Sequence, residues 1–378
     1  MSTGVTHAGI TREARRASAA TLCSLALAAA LTALAREGPE PLPDTAPAHV
    51  FSAGRALQLQ RAIVGDGAPR SPGSPANTRA LEQIAQALTR AGLTHELQRS
   101  FVCGAHGCGY VTNMIASRPG REPGSILLIA HHDSVAAGPG ASDDAAGVAV
   151  LLETARALAN APSLRHGVHW LFTDAEEAGC LGARAFAAEH RHMADVRAVI
   201  NVDNGGTSGP VLMYGTGPAE LARVELYARV VQHPISSSLL GIGHSMLPRD
   251  SDFRVFRERG LSGFDFAYAA GEARYHTARD DLAHAARTSL QHEGDHVLAC
   301  ARALADADLA QPAAEHAAWF DVFGLVVLRW PARASLWLAL GCLALLALAA
   351  YPEPLPLKAA GRALVAAGGA TLGCGLLA

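Results

Sequence analysis

S-I-L-L-I-A-H-H-D-S-V, Ser125 to Val135, passes from six uncharged residues to two imidazoles and a carboxylate with no turn residue between them. A short continuous apolar run is what a strand buried on both faces requires. The same form recurs at Gly167–Phe172, Ala198–Val202 and Phe264–Tyr268. Between the first two runs, Asp144–Asn160 sets Val148, Leu151, Leu152, Ala155 and Leu158 along one helical stripe. Upstream, Pro and Gly cluster at Ala68–Pro75. Asn77 then stands where a cap belongs, before a helix with Leu81, Ile84, Ala85 and Leu88 inward and Gly92 at its stop. Downstream, Thr288–Leu304 turns Val297, Leu298, Ala301 and Leu304 inward. Strands alternating with helices predict an α/β domain with a mostly parallel central sheet and helices on both faces.

The polar residues fall just after the strands. His131-His132-Asp133 follows the first, Asp174-Ala175-Glu176-Glu177 the second, Asp203 ends the third, and Tyr275-His276 comes soon after the fourth. Ligands of open α/β sheets bind beyond the carboxyl ends of the strands, where loops converge. Carboxylates gathered there repel one another and take up protons unless a cation holds them. A metal is the simplest such cation.

Each piece alone has a bland reading. Glu176-Glu177 suits a solvated loop, Asp143-Asp144 suits the cap and first turn of the next helix, and His276 suits a surface position. Order, spacing and placement after strands agree only when the pieces are read together. The strings A-H-H-D-S-V (Ala130–Val135), G-A-S-D-D-A-A-G-V-A (Gly140–Ala149), D-A-E-E-A-G-C-L-G (Asp174–Gly182), N-V-D (Asn201–Asp203) and Y-H-T (Tyr275–Thr277) resemble those of the two-zinc exopeptidase family. That family includes secreted aminopeptidases and glutamate carboxypeptidase. Phe51–Leu57 and Arg249–Phe256 look most like its membrane-bound branch, typified by the endoplasmic-reticulum metallopeptidase and the vacuolar membrane protease.

The resemblance implies a role for each matching position. Asp143 would bridge two zinc ions, with His131 and Asp203 completing one shell and Glu177 and His276 the other. Glu176 would be the general base, Asp133 would orient His131, and Tyr275 would help polarise the substrate carbonyl. The implied activity is hydrolysis of peptide bonds, as an aminopeptidase. Two other readings share the fold: a single-zinc glutaminyl cyclase, and a receptor-like domain that has lost the metals. All five ligand positions and Glu176 match, which favours hydrolysis. His132 gets no metal role, Asp252 reads as a cap or loop brace, and His292 and His296 read as structural.

Composition agrees and adds a membrane. The 378 residues are 50% hydrophobic and only 17% charged, against roughly 25% charged in an ordinary soluble domain. Disorder is excluded, and a net charge of −3 argues against nucleic-acid partners. The excess apolar residues lie at the ends. Ala17–Ala35 follows Arg12, Arg15 and Arg16, Ala334–Tyr351 is uncharged, and Ala363–Ala378 is a third apolar run. Arginines before the first run predict a cytoplasmic N-terminus with the following domain exported; a cleaved signal peptide ending at Ala33-Leu34-Ala35 exports it as well. The expected layout is an anchor or signal segment at 1–36, a zinc peptidase domain at 37–318 acting on peptides outside the cytoplasm, and a transmembrane region at 319–378 in the lipid bilayer. Cys103 and Cys108 flank Gly-Ala-His-Gly between two strand-like runs, a spacing that suits a disulfide-closed hairpin outside the cytoplasm; Cys103, His106 and Cys108 lack a fourth ligand for a metal.

Overall fold

The structure, a computed structural model, describes residues 22, 23, 25–27, 29, 30, 38–160, 163–245, 251–309 and 315–350. Two compact units divide the chain between Arg329 and Trp330.

The first unit opens with helix α1 (Ala53–Val64), capped by Ser52, whose Oγ accepts from the Arg55 N–H. Helix α2 (Pro75–Arg90) starts earlier than Asn77. Ser74 is its cap and accepts from the Asn77 N–H, while Pro75, with no N–H to lose, fits the first turn. Asn77 is thereby released for other duties. Strands β1 (Thr94–Gly104) and β2 (Gly107–Arg118) form a hairpin closed by a Cys103–Cys108 disulfide. Strand β3 (Ser125–His131) is buried along its whole length. It leads through a loop to α3 (Ala145–Ala159), β4 (Gly167–Thr173), α4 (Leu181–Glu189) and β5 (Val196–Val202). There follow β6 (Leu212–Gly215), α5 (Glu220–Val230), α6 (Ser238–Ser245), α7 (Asp252–Arg257), β7 (Ser262–Ala267) and α8 (Arg287–Asp306). A second hairpin, β8 (Ala317–Val322) and β9 (Val326–Pro331), comes last.

The large sheet runs β1-β2-β4-β3-β5-β7-β6. Its centre, β4-β3-β5-β7, is parallel as the buried runs predict. The sheet as a whole is mixed rather than mostly parallel, because β1–β2, β2–β4 and β6–β7 pair antiparallel. Strands alternate their side chains between faces. Ile126, Leu128 and Ala130 of β3 therefore meet α1, α2, α3 and α8 on one side, and Leu127 and Ile129 meet α4 and α7 on the other. Two filled faces explain why β3 carries no polar residue between Ser125 and His131.

In the second unit, α9 (Ser335–Ala350) covers most of the Ala334–Tyr351 run. Among the described residues no helix is long and apolar enough to cross a membrane. Most of Ala17–Ala35 and all of Ala363–Ala378 lie outside the described residues.

Candidate metal centre

The carboxyl ends of the parallel strands deliver the predicted side chains to one place. His131 ends β3, Glu176 and Glu177 follow β4, and Asp203 follows β5. Asp143 comes from the loop before α3, where its neighbour Asp144 caps the helix by accepting from the Gly147 N–H. The Asp143–Asp144 peptide bond is cis. Gly140, at φ 58°, makes the turn into this loop; a Cβ there would strike the Asp143 carbonyl oxygen.

Asp143 sits between two sets of donors. Its Oδ1 is 3.1 Å from His131 Nε2, which is 3.9 Å from Asp203 Oδ1. Its Oδ2 is 3.2 Å from His276 Nε2, which is 3.0 Å from Glu177 Oε2. Within each set, His131–Asp143–Asp203 and Asp143–Glu177–His276, the donor atoms lie within 4.8 Å of one another. Ligands held tetrahedrally at about 2.0–2.2 Å from one ion stand roughly 3.3–3.6 Å apart. Two polar atoms here also want a partner: His276 Nε2 and Glu177 Oε1 are buried with no hydrogen bond. Nitrogen and oxygen donors gathered this closely fit a divalent ion of zinc's preferences.

The electrostatics agree. Burial raises the proton affinity of Glu176, Glu177 and Asp203, and the negative neighbours Asp203 for Glu176, and Asp143 for Glu177 and Asp203, raise it further. Burial lowers the proton affinity of His131, but Asp133 and Asp143 outweigh it and hold the imidazole well above its ordinary range. For His276 burial is likewise outweighed by Asp143 and Glu177, to about 10. The cluster is thus short of positive charge.

Asp133 ties the pieces together. Its carboxylate lies 3.4 Å from His131 Nδ1 and accepts from the backbone N–H groups of Glu176 (3.1 Å) and Glu177 (3.4 Å). Tyr275 stacks on His276 with ring centroids 3.8 Å apart. Ala175, Cys180 and His276 adopt left-handed backbone (φ 57°, 57° and 58°), a cost that recurs at functional loops.

Sequence reasoning assigned no role to three of the supports, Arg70, Asp280 and Cys180. Arg70 is fully buried, and its guanidinium donates to the carbonyls of His132 (2.9 Å), Pro139 and Gly140 (3.0 Å), fastening the His131 and Asp143 loops together. Asp280 accepts from the N–H groups of Ser142 and Asp143. The Cys180 thiol donates to Glu176 Oε1 at 3.4 Å. Asp252 is the brace expected, accepting from Thr173 Oγ1; burial lifts its carboxyl to about 6. Asp280 had a signal, the Asp280-Asp281 doublet soon after His276; Arg70 stands alone in a Pro-rich loop and had none. His132 is spoken for by Asn77 Nδ2 and the Thr112 carbonyl, each at 3.1 Å, so it is structural. The disulfide removes Cys103 and Cys108 from any metal role.

The chain is similar to known proteins. The model of peptidase family M28 matches residues 113–301, which hold all eight predicted site residues. Endoplasmic reticulum metallopeptidase 1 of Rattus norvegicus is 34% identical over 233 residues, covering 59% of this chain and 26% of that protein. Vacuolar membrane protease of Yarrowia lipolytica is 29% identical over 228 residues, covering 60% of this chain and 23% of that one. The chain thus spans about a quarter of the length of these relatives. Among solved structures, a Zn-dependent exopeptidase from Parabacteroides distasonis superposes with a TM-score of 0.55 at 22% identity, over 68% of this chain and 99% of that one. Porphyromonas gingivalis glutaminyl cyclase does so with a TM-score of 0.54 at 24% identity, over 66% of this chain and 96% of that one. These two likenesses bear on the fold.

Proposed function

The chain belongs to peptidase family M28, and on that footing we propose that it is a peptidase with two zinc ions bridged by Asp143, acting as an aminopeptidase. The division of Asp143's two oxygens between two donor sets carries the reading. His131 and Asp203 would hold one ion, Glu177 and His276 the other. Bound there, zinc supplies Lewis acidity toward a carbonyl oxygen and makes water more acidic. Glu176 takes the proton from the attacking water and delivers it to the leaving amine nitrogen; its raised proton affinity, from burial and then Asp203, suits a general base. Asp133 fixes the His131 ring through Nδ1 while holding the backbone of the Glu176 loop, so ligand and base keep one spacing. Tyr275 would donate to the substrate carbonyl oxygen.

We further propose that this domain works on the non-cytoplasmic side of a membrane, anchored by the apolar terminal runs. The arginines before Ala17, the Cys103–Cys108 disulfide, and the endoplasmic reticulum and vacuolar membrane named in the two relatives support that side. The test of the activity is a short unblocked peptide incubated with the purified, zinc-loaded chain. Release of its N-terminal residue is expected; pyroglutamate formation from an N-terminal Gln, with one zinc per chain, would overturn the proposal in favour of a cyclase.

A further inference from the structure

The β8–β9 hairpin turns apolar side chains where water should be. An antiparallel ribbon with one packed face is polar on the other. Here Ala317, Trp319 and Val327 point inward and are buried, and Phe320, Val326 and Leu328 point outward, with Leu325 at the turn. Helix α6 is fastened beside the hairpin. Ser237 bridges to Phe320, Trp319 N–H and carbonyl both meet Ser238 Oγ, and the Trp319 indole donates to Ser236 Oγ at 2.7 Å. Gly241 sets α6 against the Tyr214 carbonyl, where a Cβ would not fit. Leu239 and Ile242 are left outward. These six side chains, Leu239, Ile242, Phe320, Leu325, Val326 and Leu328, are each between 41% and 73% exposed. Scattered apolar exposure is ordinary, but a contiguous patch marks an interaction surface.

The chain itself indicates what covers it. β9 ends at Pro331, and three residues later α9 begins, a helix without a charged residue. Leu336, Trp337, Leu338, Leu340, Leu343 and Leu345 all stand exposed on it. From the end of β9 toward the helix the sequence reads Arg329, Trp330, Pro331, Ala332, Arg333. Indole rings settle at the headgroup level of a bilayer, and arginines pair with its anionic phosphates. In the chain only Ala332, Arg333 and Ala334 separate the hairpin from that helix.

We propose that the β8–β9 hairpin and α6 form a membrane-docking face, which seats the peptidase unit in the interfacial layer of the bilayer. The proposal rests on the membrane anchoring put forward above and adds that the unit lies on the membrane rather than hanging free from a tether. Substrates would then be met at the headgroup surface.

The test uses the full chain in vesicles of phosphatidylcholine and phosphatidylglycerol. Leu239→Cys, Leu325→Cys and Leu328→Cys are made singly, with Cys23, Cys342 and Cys374 changed to Ala, and labelled with a polarity-sensitive fluorophore. Tyr110→Cys, on the β1–β2 hairpin, is the water control, and Leu340→Cys the bilayer control. Labels at 239, 325 and 328 should lose fluorescence to a lipid carrying a shallow spin-label quencher and resist aqueous iodide, as the label at 340 does. Quenching at 340 alone, with the three positions matching 110, would overturn the docking face and leave the anchor standing. No lipid quenching at 340 either would remove both. Protection from iodide without lipid quenching would mean that protein covers the face, which also overturns the proposal.

Discussion

Two pairs of histidines, three of the four buried and His276 partly exposed, sit in this domain and behave in opposite ways. His131 and His276 face carboxylates, and their proton affinity is raised. His292 and His296, on α8, are closed by backbone: His292 Nδ1 accepts from the Val211 N–H, its Nε2 donates to the His233 carbonyl, and His296 Nε2 donates to the Gln232 carbonyl. Burial drives His292 down to about 4 and His296 well below its ordinary value. Buried imidazole is therefore no mark of a site by itself. The mark is imidazole whose neighbours are charged and unsatisfied.

The contrast can be broken by experiment, and the largest effect is expected at Glu176. Glu176→Gln should lower kcat by about 10²–10⁴-fold, the range for losing a general acid–base, while zinc content stays unchanged. Zinc loss in that variant would mean that Glu176 is a ligand instead.

At the other pole, the folded form of His292 resists a proton that the unfolded chain accepts. Between pH 6.5 and about 4 the unfolded state binds more protons, so stability falls as pH drops through that window. The shift corresponds to about 3 kcal/mol at most. Urea midpoints measured across the window should fall steeply for the native chain and less steeply for His292→Gln; equal slopes would refute the assignment.

Asp133→Asn sharpens the contrast from the metal side. It keeps one acceptor for the Glu176 N–H but no longer holds the His131 ring as an anion. Losses of this kind run about 10–100-fold in metal affinity or activity, to be read by competition with a chelator. His132→Asn is the smallest. Next in sequence to a ligand yet bonded to Asn77 and Thr112, it should cost about 1–3 kcal/mol of stability and no zinc, since it strands the Thr112 carbonyl. A drop in zinc stoichiometry would place His132 on the wrong side of the divide.

How far the sequence could be read follows the same logic. The four central strands are almost wholly buried and mostly apolar, with only His169, Arg197, Asn201 and Asp265 inside them, and the polar residues just after their ends mark the site. His131, Asp133, Glu176, Glu177 and Asp203 were visible for that reason. Beyond those runs legibility falls. The β1–β2 hairpin was legible from the strand-like runs that flank Cys103 and Cys108, but its antiparallel place in the large sheet was not, and β6 has only four residues. Helix α6, with Gly241 and Gly243 among its eight residues, and the β8–β9 hairpin carry no clean period either. Arg70 was invisible in principle, since its guanidinium's partners are four backbone carbonyls distant in sequence. The start of α2 was misjudged by a small step, because Ser74-Pro75 outranks Asn77 as a starting signal.

Diffraction from crystals of the zinc-loaded chain, collected on both sides of the zinc absorption edge, bears on all of this at once. Two anomalous peaks roughly 3.5–4 Å apart are expected, both within bonding reach of Asp143, one beside His131 and Asp203 and the other beside Glu177 and His276. A single peak, or none among these residues, would contradict the bridged pair and with it the proposed chemistry.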